Sequence, residues 1–311
     1  MTTPLRLLLA VLVATIAACG DSSAPAPLGG ELLALTYNVA GLPEGLSGSR
    51  PSIYTEQIAP KLDAYELVLL QETWQTPENP PFGLRVYHEI LVAGASHPYK
   101  SEPAPLPLGS DPRRPSALVS DGLNVFSIHP FEPLVREMWS DCDASAADCL
   151  SQKGFAVTRT TIAPGVEVDV YDLHMEAGGT RRDEELRDLA VSQLRDFIAR
   201  YSAGRAVIVG GDFNLHTDEE PDASQYRRLL EETGLVDACE ATGCDDFGRI
   251  DKFAYRSGGG VSLRALSWRL EDDVFVTAGG TPLSDHEAVA VRFAWLSVPR
   301  DLYVELTGLR D

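Results

Sequence analysis

One pattern constrains this sequence more than any other: short apolar runs end, again and again, on acids, amides and imidazoles. Asn38 follows LALTY, Glu72 follows LVLLQ, His174 closes VYDLH, Asp212 and Asn214 follow VIVGG, and Asp285 with His286 precede a last apolar run. Short aliphatic and β-branched runs bounded by polar or glycine residues read as buried strands. Polar groups placed where such strands end converge on one edge of a sheet, which is where binding and catalytic groups collect.

The rest of the chain supports an α/β reading. Strands are predicted over 32–37, 67–71, 123–127, 155–162, 166–174, 206–210, 250–256, 263–270 and 287–295. Helices are predicted over 52–62, 84–92, 183–201 and 223–233. The clearest is 183–201, with Leu186, Leu189, Ala190, Leu194, Phe197 and Ile198 on one face. Between 75 and 115 proline and glycine are frequent, so this stretch is expected as surface loops. No internal repeat is evident. One domain is expected over 31–311, with Trp268 and Trp295 in its core.

The first residues carry a separate message. Arg6 is followed by an apolar run over 7–18, too short for an ordinary membrane-spanning helix and ending in small residues, so 1–18 reads as a signal peptide. Ile16-Ala17-Ala18-Cys19 resembles the bacterial lipobox, which implies lipidation of Cys19. The Ser, Ala and Pro stretch 19–30 then reads as a flexible tether holding an exported chain at a membrane face. Ordinary secretion is the alternative.

Export bears on the other cysteines. Cys142 with Cys149 and Cys239 with Cys244 form two local pairs, read as short-loop disulfides in an oxidising compartment. A zinc site competes, but neither pair has Cys-x-x-Cys spacing or a nearby histidine.

The formal net charge is −20, and a duplex nucleic acid binder draws much of its affinity from Lys and Arg on phosphates. Most of this surface would repel DNA. Three arginine pairs, Arg113–Arg114, Arg181–Arg182 and Arg227–Arg228, are the places where a basic cleft could hide.

TYNVAGLP, LLQETW, GLNVFS, YDLHMEAG, GGDFN, GRID and SDH occur in the order found in the endonuclease/exonuclease/phosphatase superfamily, and the chain resembles that family from about 32 to 295. Each piece alone is weak, but together they are specific. The resemblance implies a four-layer α/β sandwich of two packed mixed β-sheets flanked by helices. It further implies a phosphoric diester hydrolase that uses a divalent metal.

Position by position, the resemblance makes Glu72 the principal metal carboxylate, with Asn38 beside it and Asp285 completing the acidic wall. Asp212 would orient or deprotonate the attacking water, Asn214 would hold a phosphoryl oxygen, and His174 would hydrogen-bond developing charge. His286 would serve as general acid or base, with Asp251 fixing its tautomer. Taken singly, Glu72 could be a surface ion pair, His174 a satisfied strand-end histidine and Asp285 a turn cap. Oxygen ligands without thiolates suit Mg²⁺, Mn²⁺ or Ca²⁺, and Mg²⁺ is the family's default. His88, His97 and His129 match no motif, His216 lies just past GGDFN where members of the family vary, and all four stay outside the expected site.

This scaffold serves DNA, RNA, inositol phosphates and sphingomyelin alike. The KGF triplet at 153–155, LHMEAGG and the Arg- and Asp-rich helix after it resemble the neutral sphingomyelinase branch. A phospholipid headgroup is therefore the expected substrate, and sphingomyelin cleavage to ceramide and phosphocholine the expected reaction. The acidic charge suits a zwitterionic headgroup better than a polyanion. A secreted deoxyribonuclease-I-like endonuclease and a non-catalytic phosphate-binding surface lipoprotein are the alternatives.

Overall fold

Two six-stranded mixed sheets pack face to face, with helices on both outer faces, in a computed structural model described for residues 28–42, 49–75, 87–144, 148–245 and 248–297. This is the four-layer sandwich the sequence implies. The first sheet contains β1 (Leu28–Asn38), β2 (Leu67–Gln71), β3 (Tyr99–Lys100) and β4 (Asn124–Ser127). The second contains β5 (Val135–Met138), β6 (Gly154–Ala163), β7 (Val166–His174), β8 (Val207–Asp212), β9 (Val236–Asp237) and β10 (Asp251–Arg256). The chain then returns to the first sheet as β11 (Val261–Leu270) and β12 (Val289–Ser297), giving the orders β11-β12-β1-β2-β4-β3 and β5-β6-β7-β8-β10-β9.

Each sheet has one parallel pair, β1 with β2 and β7 with β8. Parallel strands release their carboxyl ends at the same edge. The register sets Asn38 beside Gln71, and hence beside Glu72, in one sheet and His174 beside Asp212 in the other. β10 runs antiparallel to β8 and begins where β8 ends, with Asp251 opposite Asp212. The topology alone thus delivers five of the expected side chains to one edge.

Packing follows the period of two in the strands. Leu32, Ala34, Leu67, Leu69, Val168, Val170, Ile208, Phe253, Val289, Val291 and Phe293 fill the space between the sheets, and Trp268 and Trp295 pack at its margin. On the outer face of the first sheet, α1 (Pro51–Ile58) and α2 (Tyr87–Gly94) bury Ile58 and Leu91 against Leu35, Val68 and Leu70. On the other side α3 (Arg181–Tyr201) and α4 (Asp222–Thr233) bury Val191, Leu194, Ile198 and Leu229 against Phe155, Val207 and Val209. Each such buried aliphatic side chain stabilises the fold by roughly 1.5–3 kcal/mol relative to exposure. Thr180 starts α3 with a capping box: its hydroxyl accepts from the Asp183 N–H, and the Asp183 carboxylate accepts from the Thr180 N–H. The short α5 (Ala238–Thr242) completes the set.

The boundaries differ from expectation in instructive places. β1 begins at Leu28, inside the stretch read as tether, because Gly29 and Gly30 pair with Leu296 and Trp295. A Cβ at Gly30 would press into the Trp295 ring, so these glycines serve close packing rather than flexibility. The helix expected over 52–62 is divided, with a 3₁₀ segment Ala59–Ala64 after α1 that opens on Pro60. A proline lacks the N–H that an α-helix interior needs. β3, β5, β9 and α5 are two to five residues long, too short for periodicity to reveal. Both expected disulfides are present, Cys142–Cys149 and Cys239–Cys244. The signal peptide, Cys19, tether residues 19–27, residues 84–86 of the expected second helix and the tail 302–311 lie outside the described residues.

Candidate active site

Asn38, fully buried at the end of β1, is the hub of the edge where the strands converge. Its side-chain amide donates to Glu72 Oε1 at 3.1 Å and to Asp212 Oδ2 at 3.0 Å, and it lies 3.3 Å from His286 Nε2. Its own Oδ1 accepts from the Ala40 N–H at 3.0 Å, which fixes which way the amide faces. One side chain thereby links both sheets and the final loop.

His286 and Asp251 form a close pair, with Nδ1 and Oδ2 2.8 Å apart. Burial opposes charge on His286, but the Asp251 hydrogen bond and the charges of Asp251, Asp212 and Glu72 outweigh it and push its pKa up to about 10. Asp212, at the end of β8, has Oδ2 3.3 Å from His174 Nε2 and 3.8 Å from His286 Nε2, while Oδ1 accepts from the Asn214 N–H at 3.0 Å. Burial, then the nearby Asp251 charge, raises the Asp212 pKa to about 6. His174 is held well below the usual histidine range by burial first and by the Lys153 charge second, so it is neutral.

Backbone strain marks the same edge. Glu72 and Asn214 adopt left-handed conformations, with φ of 60° and 50°. Such a value is costly for Glu72 and persists where surrounding structure imposes it, whereas asparagine adopts it more readily. At Gly41 a Cβ would collide with the Glu72 carbonyl oxygen, so this glycine lets the loop after β1 lie against the loop after β2.

Two expected residues take more peripheral places. The Asn214 amide donates to the Met175 carbonyl at 3.2 Å, beside the cluster rather than within it. Asp285 is exposed, and its contact with the Ser284 hydroxyl is 3.4 Å. The same hydroxyl donates to the Asn38 carbonyl at 2.7 Å, which pins the SDH turn to β1.

Lys153 is a site residue that sequence reasoning passed over, noticed only as part of the KGF triplet. It is buried, forms a 2.8 Å ion pair with Asp148, and its charge reaches Glu72 and Asp212. Burial works against that charge, yet the three carboxylates outweigh it and hold the pKa above the usual lysine value. Asp148 lies in the loop closed by Cys142–Cys149, and the same loop donates the Asp143 N–H to Glu176 at 2.9 Å. A lysine at the entry to an otherwise apolar strand was the available signal.

The donor set fits a divalent cation. Burial raises the Glu72 and Asp212 carboxyls, and a neighbouring acid adds to each, Asp212 to Glu72 and Asp251 to Asp212, so a cation beside them would favour their charged forms. Asp251 Oδ1 and His174 Nδ1 are buried without a hydrogen-bond partner among the described residues. Asp212, Asp251 and His286 bring possible ligand atoms within 4.8 Å of one another. His286 and Asp251 are already joined to each other, so Glu72 with Asp212 is the more natural oxygen pair for a hard ion.

The six paired arginines do not form a basic cleft. Arg113, Arg181, Arg182, Arg227 and Arg228 are each ion-paired to Asp or Glu, and Arg114 is buried against the carbonyls of Trp139, Asp141 and Ser151.

Residues 35–286 match the model of the endonuclease/exonuclease/phosphatase family. A sphingomyelinase of Mycobacterium tuberculosis is 32% identical over 305 residues, covering 92% of this chain and 57% of the relative, so the chain spans little more than half of that protein. Among solved structures, sphingomyelinase C of Streptomyces griseocarneus superposes with a TM-score of 0.59 at 19% identity, over 85% of this chain and 99% of the other. The beta toxin of Staphylococcus aureus with bound magnesium ions gives 0.59 at 14% identity, over 84% and 99%. These two likenesses speak to the fold.

Proposed function

The chain belongs to the endonuclease/exonuclease/phosphatase family, and on that premise we propose that it is an exported, divalent-metal-dependent phosphodiester hydrolase acting on sphingomyelin. The observation that carries this reading is the meeting of Asn38, Glu72, His174, Asp212, Asp251 and His286 on one buried edge.

Glu72 and Asp212, with Asn38 alongside and Asp285 at the rim, would hold the ion. Mg²⁺ is favoured because the beta toxin structure carries magnesium. When bound, the ion supplies positive charge that offsets the phosphate and stabilises the developing oxyanion.

The protein's own groups divide the proton work. His286, charged through Asp251, is poised to give the Nε2 proton to the departing oxygen, while Asp212, 3.8 Å away, is poised to take a proton from the attacking water. Water oxygen bonds to phosphorus as the bond to the ceramide oxygen breaks, leaving phosphocholine. Neutral His174 and cationic Lys153 face the same carboxylates and supply a hydrogen bond and a fixed charge to the phosphoryl oxygens. Asn214 stands beside Asp212 and holds its carboxylate through the backbone N–H.

A lipid substrate is favoured over nucleic acid by the name borne by the mycobacterial relative, by the net charge of −20 and by the engaged arginines. The apolar run over 7–18 and Cys19 support export with an N-terminal lipid anchor. Sphingomyelin vesicles and supercoiled plasmid, assayed in parallel with Mg²⁺ or EDTA, test the substrate assignment. Phosphocholine release with intact plasmid is expected. Nicking without phosphocholine release would move the protein to the nucleases, and neither product would make it a binding protein.

A further inference from the structure

Along the central strands, the face turned toward the other sheet changes character in two steps. In β1, Leu32 and Ala34 give way to Thr36 and then Asn38; in β7, Val168 and Val170 give way to Asp172 and then His174; in β2, Leu67 and Leu69 give way to Gln71. Asn38 and His174 belong to the site. Thr36, Gln71 and Asp172 form a layer beneath it, completely buried, which the proposed chemistry does not use.

This layer is joined by hydrogen bonds across the sandwich. Gln71 Nε2 donates to Asp172 Oδ1 at 2.6 Å and to Thr36 Oγ1 at 3.1 Å, so one amide connects β1 and β2 with β7 of the opposite sheet. Among the described residues, Asp172 Oδ2 has no hydrogen-bond partner. Burial holds the Asp172 carboxyl well above the usual range, with Asp121 adding to the shift and the hydrogen bonds from Gln71 and the Asn124 N–H opposing it. Apolar side chains would fill this layer without the desolvation cost of three polar ones. What they would lack is a bond of fixed length and direction between strand ends. Glu72 follows Gln71 directly, and His174 is two residues beyond Asp172 on the same face.

We propose that Asp172 is a positioning residue, whose hydrogen bond to Gln71 sets the span across the cleft between Asn38 and Glu72 on one sheet and His174 and Asp212 on the other. The kinetic consequence rests on the phosphodiesterase reading; the structural one does not.

The test compares Asp172→Asn, whose side-chain oxygen remains an acceptor for Gln71, with a triple variant, Thr36→Val, Gln71→Leu and Asp172→Leu, which replaces the whole layer by apolar groups. Removing Thr36, Gln71 and Asp172 together leaves only the Asn124 N–H without its Asp172 acceptor, so the triple variant is expected to unfold cooperatively at somewhat lower stability than wild type. Phosphodiester turnover is measured with Mg²⁺, and the ring nitrogens of His174 are followed by NMR. Asp172→Asn should stay within about threefold of wild-type kcat with unmoved His174 resonances. The triple variant should lose roughly 10- to 100-fold in kcat with KM changed far less, and its His174 resonances should shift. Wild-type kcat and resonances in a folded triple variant would overturn the proposal. Should the triple variant not fold, Asp172→Ser is read by the same criteria. A wild-type protein without phosphodiesterase activity would refute the proposed function, while the His174 resonances would still decide the role of Asp172.

Discussion

The Asn38 amide meets the Asp212 carboxylate at 3.0 Å across 174 residues of sequence, and this hydrogen bond ties the polar edge of one sheet to that of the other. Neither residue is remarkable alone. Because Asn38 also donates to Glu72, and Asp212 also faces His174 and His286, their contact is the point through which the rest of the site is mutually placed.

His286→Ala should lower kcat by about 10²-fold or more while leaving the circular dichroism spectrum unchanged, since it removes the group poised for proton transfer but little packing. His286 is partly exposed, which limits the structural cost. Steady-state kinetics on sphingomyelin vesicles provide the check, and an unaltered kcat would remove His286 from the chemistry.

Glu72→Gln keeps the shape of the side chain and its contact with Asn38 but removes one negative charge from the acidic wall. Mn²⁺ binding, followed by electron paramagnetic resonance, should weaken by at least about tenfold. Equal affinity in the variant would place the ion elsewhere, for instance at the Asp212, Asp251 and His286 cluster.

Lys153→Met should reduce kcat by roughly 10²- to 10³-fold, the range for losing one charged stabiliser of an oxyanion. Lys153→Arg should recover part of that loss, because the charge is kept while the shape differs. The measurement is kcat under metal saturation, and a Met variant as fast as wild type would leave Lys153 a structural partner of Asp148.

The strand-end residues were legible because a polar group after an apolar run is conspicuous in sequence. Lys153 was not, since its place depends on Asp148 being carried to it by the Cys142–Cys149 loop. Asp172, Gln71 and Thr36 were also hidden: within YDLH, LLQ and LTY they look like interruptions of strands rather than one layer. Their partnership is a matter of how two sheets are stacked, which strand periodicity does not encode. Asp285 shows the opposite case, a motif residue whose side chain the fold leaves exposed.

Stability should fall with rising pH through Glu176. This buried carboxyl is raised by burial first and by the Asp148 charge second, to about 7 from an ordinary value near 4.5. The folded state therefore binds this proton more tightly than the unfolded chain. Its stabilisation is complete below the unfolded pKa and is lost as pH rises through about 7, with an upper bound on the order of 3 kcal/mol. Urea unfolding of wild type and Glu176→Gln at about pH 4.5 and about pH 7.5 should show a smaller pH difference in the variant. Parallel curves would mean that Glu176 ionises freely.

Hydrolysis of sphingomyelin in H₂¹⁸O, with Mg²⁺ or EDTA, tests metal-assisted attack of water on phosphorus most directly. The account predicts one ¹⁸O in each phosphocholine released, unlabelled ceramide, and no release in EDTA. Label in ceramide, or equal release in EDTA, would contradict it.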